Sequence, residues 1–181
     1  MDLKPCVQER RSIRKYKDTP VDQGLIEQIV QTASYAPSWK NLQTTRYIVI
    51  SNPELKRKLA EDCVMGFELN IKSIQSAPVL ILITTISPRS GFNRDGTPVT
   101  SKGTHWESFD AGIATQTLCL AAQAEGLGTL IMGIYDEEKV REVAGVPEGQ
   151  KVSAMLAIGY PSESPEAPKR KTADELITFL N

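Results

Sequence analysis

Apolar residues at Val21, Leu25, Ile26, Ile29, Val30 and Ala33 follow the three-to-four-residue spacing of one helix face. Ahead of them, Thr19-Pro20-Val21-Asp22 reads as a capping box with proline at the first helical position, and Pro37 limits the far end. RYIVIS (46–51) is a strand closed by Asn52-Pro53. Leu55, Leu59 and Cys63, then Phe67, Ile71 and Ile74, predict paired helices ending before Pro78. PVLILITTI (78–86) is apolar throughout and β-branched, the pattern of a strand buried on both faces. Residues 87–106 alternate Gly and Pro with polar positions, so a long loop is expected, of the length usually tied to function or disorder.

FDAGIATQTLCLAAQAEG (109–126) is apolar nearly all round and predicts a central buried helix. LIMGI (130–134) is a short strand. Asp136 caps a helix carrying Val140, Val143 and Ala144, which Gly145 and Pro147 stop. KVSAMLAIGY (151–160) is a further strand, followed by a Pro-rich, charged tail and a last apolar piece, LITFL. Helices and strands mix without regular alternation and no repeat or linker divides the chain, so the expectation is one α+β domain over residues 1–181.

Composition narrows the chemistry. Of 181 residues, 40% are hydrophobic and 24% charged, ordinary globular values. The net charge of −1 argues against a nucleic-acid partner. A single His and three widely spaced Cys leave no metal or redox motif, so no metal site and no side-chain nucleophile are expected. The N-terminus lacks an apolar run and no stretch is long enough for a bilayer, which predicts a cytoplasmic chain with no membrane partner. No G-x-G-x-x-G or P-loop follows a strand.

The basic residues are unevenly placed. Residues 1–20 carry Lys4, Arg10, Arg11, Arg14, Lys15 and Lys17 against Asp2, Glu9 and Asp18, and a second basic group, Lys169-Arg170-Lys171, lies near the other end. These are either solvated faces or halves of one anion site. In RRSIRKY (10–16), an extended backbone points Arg10, Ser12 and Arg14 one way, a set suited to a phosphate. In APSWKNLQ (36–43), Asn41 and Gln43 can both donate and accept along a heterocycle edge, and Trp39 can stack; an ordinary helix-to-strand loop reads the same. GLGTLIMGIYD (126–136) lets backbone near Met132 approach a flat ring, or is a helix stop with a buried strand.

Together and in this order, RRSIRKY, APSWKNLQ, DAGIATQTLCLAAQAEGLGT, IMG and IGYPSESPEAPKRK resemble the FMN-dependent nitroreductase family. The resemblance spans almost the whole chain. It implies a mostly antiparallel sheet flanked by helices, in an intertwined homodimer with FMN at the interface. The closing arm, about 162–181, would reach the partner subunit. By the family pattern, Arg10, Ser12 and Arg14, with Arg11 adjacent, hold the phosphate end and pyrimidine edge, aided by Lys169 and Arg170. Pro37, Ser38, Trp39 and Asn41 match the segment laid against the flavin by the second subunit, and Gln43 matches a position close to it. Met132 and Gly133 match backbone donors near N5, and Asn70 and Lys72 align loosely.

The implied activity is hydride transfer from NADH or NADPH through flavin N5 to a nitroaromatic, quinone or related small-molecule acceptor, by a ping-pong mechanism. A flavin-binding carrier or sensor without turnover is the alternative, because Trp39 stands where relatives often have a small residue. Thr44-Thr45 likewise replaces a usual proline and aromatic, and residues 87–106 become the expected lid.

Overall fold

A computed structural model describes residues 2–180. The elements in chain order are α1 (Leu3–Glu9), α2 (Gln23–Ala33), β1 (Thr45–Ile50), α3 (Pro53–Asp62), α4 (Glu68–Ser76), β2 (Val79–Ile86), α5 (His105–Ala124), β3 (Gly128–Met132), α6 (Glu137–Ala144) and β4 (Gln150–Gly159). The strands form one sheet in the order β1-β2-β4-β3, every neighbouring pair antiparallel. The α+β expectation holds.

Strand β2 shows why its sequence is apolar without alternation. Leu80 and Leu82 face a core layer with Leu59, Cys63, Ile74, Val140 and Met155, under α3, α4 and α6. Val79, Ile81 and Ile83 face the opposite layer with Ile26, Ile29, Leu118, Ala122, Leu156 and Ile158, under α2 and α5. A central strand covered on both faces has no solvated position, and its two buried hydroxyls are met from β4: Thr84 donates to Gln150 Oε1 at 2.6 Å and Thr85 pairs with Ser153 at 2.8 Å.

Local signals decide most boundaries. The Asn52 side chain accepts the Leu55 N–H at 2.9 Å at the start of α3, with Pro53 in the first turn. Asp136 accepts from the Lys139 N–H at 3.2 Å, and Gly145, at φ 63°, ends α6. Helix α2 corrects the expected start: Asp22, not Thr19, is its cap, accepting the Leu25 N–H at 3.2 Å. Either residue can cap; Asp22 is the one whose side chain meets a free N–H of the first turn. Helix α1 was not expected, because its short sequence carries one buried residue, Cys6.

Helix α5 departs from the expectation in two ways. It begins at His105, so the preceding loop is shorter than predicted, and only one side is buried. Ala111, Ala114, Leu118 and Ala122 face the core, whereas Phe109 is 59% exposed and, with Ile113, lines an open groove. An all-round apolar pattern records the need for cover, not where the cover comes from. After β4 the chain runs extended and exposed, apart from a short turn at Ala173–Glu175.

Candidate functional site

The basic N-terminal segment is fixed on a free sheet edge. Strand β3 has β4 on one side only. On its other side Ser12 bridges Thr129 in parallel, and the Ile13 N–H donates to the Thr129 carbonyl at 3.0 Å. The tail completes the frame: the Lys17 N–H donates to the Tyr160 carbonyl at 2.8 Å, the Ser162 N–H to the Lys15 carbonyl at 3.0 Å, and the Arg14 N–H to Glu163 Oε1 at 2.7 Å. Ile13 is buried against Gly128, where a Cβ would come within 2.5 Å of Ile13 Cγ1. Glycine at 128 is therefore what lets this segment lie so close. Tyr16 anchors it further by donating to the Ile13 carbonyl at 2.6 Å, and burial raises its phenol pKa well above the ordinary range.

This packing brings the two ends of the chain together. A cavity of about 440 Å³ is lined by Arg10, Arg11, Ser12, Arg14, Pro165, Glu166, Pro168 and Arg170. Lys169 is not on its wall. Among the described residues none of these arginines makes an ion pair. Arg11 Nη1 donates to the Gln8 and Arg10 carbonyls at 2.7 and 2.9 Å, tying down the end of α1, while its Nε is shut away from water without an acceptor. An unmet buried donor costs on the order of 1–3 kcal/mol. Clustered guanidiniums with a single wall carboxylate suit a dianionic phosphate, which supplies charge and several acceptors at once. The residues present fit the phosphate end of FMN.

The second predicted segment lies elsewhere in the chain. Pro37, Ser38 and Gln43 line a different cavity of about 250 Å³ beside Arg46, Asp110 and Ala114, sharing no residue with the basic one. Ser38 Oγ accepts the Gln43 N–H at 2.9 Å. Lys40, Asn41 and Gln43 have φ of 49°, 55° and 49°, interrupted by Leu42 at −72°; non-glycine residues adopt such left-handed conformations at a cost, and they cluster at binding sites. Asn41 and Gln43 are exposed, and Trp39 is half-buried with its Nε1 lacking an acceptor. Within one chain the structure does not bring Pro37, Ser38, Trp39, Asn41 and Gln43 to Arg10, Ser12 and Arg14.

Met132 and Gly133 close β3. The Met132 side chain is core, so only backbone is offered there. Thr129, which holds Ser12, and Met132 are about 10 Å apart at the usual strand rise. Asn70, buried on α4, donates from Nδ2 to the Ile134 carbonyl at 3.3 Å and steadies the exit from β3. Lys72 instead pairs with Glu68 on the surface at 3.5 Å.

Three acids missed in the sequence organise the surroundings. Asp110 Oδ2 accepts the Trp39 N–H at 2.9 Å and the Ser90 hydroxyl at 2.6 Å, so one buried carboxylate binds both the 37–43 segment and the 87–104 loop to α5. Glu107, fully buried, accepts from the Ser87 hydroxyl at 3.1 Å and the Arg89 N–H at 3.0 Å, and pairs with Lys151 at 2.5 Å. Glu163 holds Arg14, as above. The available signal was acids opening an otherwise apolar helix; for Glu163 there was none. Among the described residues no grouping of His, Cys, Asp and Glu could hold a metal, and no helix is long and apolar enough to cross a membrane.

Comparison with known proteins identifies the family and the fold. A nitroreductase family model matches residues 7–73 and 68–160. The "NADH dehydrogenase" of Thermus thermophilus is 30% identical over 202 positions, covering 99% of this chain and 96% of that protein. An FMN-dependent nitroreductase of Clostridium difficile R20291 superposes at TM-score 0.79 with 27% identity, covering 99% of both chains. A nitroreductase family protein of Streptococcus pneumoniae TIGR4 shares the fold at TM-score 0.85 with 21% identity, covering 99% of this chain and 100% of that one. The edge-bound basic segment, the all-antiparallel sheet and these matches over nearly the full length lead to one assignment: the chain belongs to the nitroreductase family.

Proposed function

We propose that this oxidoreductase binds FMN with its phosphate among Arg10, Arg11, Ser12, Arg14 and Arg170, uses NADH or NADPH as reductant, and reduces a nitroaromatic, quinone or related acceptor in a ping-pong cycle. The observation that carries this reading is the cavity where arginines from both ends of the chain meet without carboxylate partners. When bound, the flavin would supply hydride transfer at N5. The chain's own groups bind and orient. Arg10, Arg14 and Arg170 neutralise the phosphate, and Arg14 also favours negative charge on the adjoining ring edge. Backbone at Met132–Gly133 offers donors to the ring, with Lys169 a weaker phosphate contact from outside the wall.

The working unit of this proposal is a homodimer. Pro37, Ser38, Trp39, Asn41 and Gln43, remote from the basic cavity in their own chain, would complete the site of the partner. Two apolar surfaces support this: the Phe109–Ile113 face of α5 and the tail, where Leu176, Phe179 and Leu180 are exposed. The tail from about residue 162 would cross the partner.

The test starts with colour. The purified protein should be yellow and release FMN on denaturation, and it should oxidise NAD(P)H when a nitroaromatic or quinone is added. Arg14→Ala with Arg170→Ala should weaken FMN binding by roughly 100-fold or more, from two charge-assisted hydrogen bonds worth about 1.5–3 kcal/mol each. A colourless protein that FMN cannot reconstitute overturns the reading. Bound FMN without NAD(P)H oxidation would point to the carrier or sensor instead.

A further inference from the structure

Trp39, assigned above to the flavin-facing segment, is also one end of an aromatic cluster that continues through Trp106 and Phe109. The ring centroids of Trp39 and Trp106 are 5.0 Å apart at an interplanar angle of 49°. Phe109 meets Trp106 edge-on at 5.8 Å and stays 59% exposed. The cluster is built to hold its shape. Asp110 fixes both the Trp39 backbone and Ser90, and the Trp106 Nε1–H donates to Thr100 Oγ1 at 2.9 Å. Gly91 leaves room for the Trp106 ring: a Cβ there would fall 2.7 Å from Trp106 Cδ1.

Cations stand over these rings. Lys40 Nζ lies 5.8 Å from the Trp39 centroid and Lys102 Nζ 5.6 Å from that of Trp106. The positive φ of Lys40 is what turns the residue after Trp39 back over its own neighbour. Among the described residues neither lysine has a carboxylate partner. Flat apolar faces and unpaired ammonium groups, carried on adjacent loops, recognise a flat ring with an anionic substituent.

We infer that the Trp39–Trp106 wall with Lys40 and Lys102 is the acceptor-side specificity element, and that it favours aromatic acceptors bearing a carboxylate or phenolate over neutral ones. This rests on the FMN reading above, which lays the 37–43 segment beside the ring. With a nitroaromatic, each cycle consumes one NAD(P)H and one proton, converts the nitro group to a nitroso group and releases water. Two electrons leave the nicotinamide and two enter the nitrogen–oxygen group. The lysines take no part in that exchange; they hold the anionic end of the acceptor, so they act through KM. The reductant is also a flat ring with anionic groups, and the acceptor is the source favoured here because the wall is two indoles and a phenyl wide, with one cation per indole.

The experiment uses the FMN-loaded protein, with 4-nitrobenzoate and its neutral amide as paired acceptors. The chain contains two tryptophans, 39 and 106, so all of its indole emission reports on this wall. Titration of either compound without reductant should quench that emission, with tighter binding of the benzoate. In the Lys40→Gln/Lys102→Gln protein the benzoate should lose about three- to tenfold in affinity and in kcat/KM through KM, the scale expected for two exposed charge contacts, while the amide is unmoved. Added salt should shrink the wild-type preference. Equal loss for both compounds, no loss for either, or a rise confined to the KM for NAD(P)H each overturns the assignment. Absence of bound FMN and of NAD(P)H oxidation would instead sink the underlying functional reading, and the quenching titration reports separately from it.

Discussion

Asp110 shows how much of this site hangs on single side chains. Its carboxylate is buried and meets two donors from two separate loops, the Trp39 N–H and the Ser90 hydroxyl. Asp110→Ala leaves the Trp39 N–H without its partner and should cost about 1–3 kcal/mol. The thermal midpoint should fall, and tryptophan emission should shift to the red as the loops loosen; unchanged melting and emission would show that the bond does not hold them. In the sequence this residue looks like the polar start of an apolar helix, because its partners lie 71 and 20 residues away. RRSIRKY was easier to read. Alternating Arg10, Ser12 and Arg14 needs only an extended backbone to act together, and the parallel bridge to Thr129 provides it.

At the scale of elements, caps carried more information than apolar spacing alone. Asp136 and Gly145 bracket α6 as expected, since one supplies an acceptor to a free N–H and the other accepts a left-handed φ. Asp136→Ala should destabilise by about 1 kcal/mol, read as a lower denaturant midpoint at unchanged slope. Helix α2 shows the limit of such signals. Thr19 and Asp22 are both competent caps, and the choice falls to Asp22 because residues up to Lys17 are tied to the strand-exit backbone at Tyr160. Helix α5 shows another: its apolar circumference is satisfied on one side by α2 and the sheet and left open at Phe109.

For the whole molecule, buried acids set the alkaline limit of stability. Burial pushes the phenols of Tyr47 and Tyr135 up to about 12 and raises the thiols of Cys63 and Cys119, and Tyr16 moves the same way. A group with a raised folded-state pKa stabilises the fold fully below its unfolded value and loses that contribution as pH climbs past it. Stability should therefore fall between the ordinary values of 9 to 10 and about 12. Lys56 opposes the trend, because burial lowers its pKa, but it is one group against five. Thermal midpoints should drop across that window, and Tyr47→Phe with Tyr135→Phe should flatten the drop; a midpoint that rises with pH would contradict the burial argument.

The chain by itself determined its four strands, its helices apart from α1, and the residue types for an anion and a flat ring. Those depend on spacing within a few residues, and hydrophobic period, caps and paired donors are local properties. Only the tertiary structure decided which pieces meet. It seats Ser12 on the free edge of β3, closes Arg170 over Arg10 and Arg14, and hangs Trp39 and Ser90 on Asp110. Such contacts join residues far apart in sequence, and their energies come from packing Ile13 directly on the backbone of Gly128 or filling a carboxylate's acceptor sites, which no local pattern records.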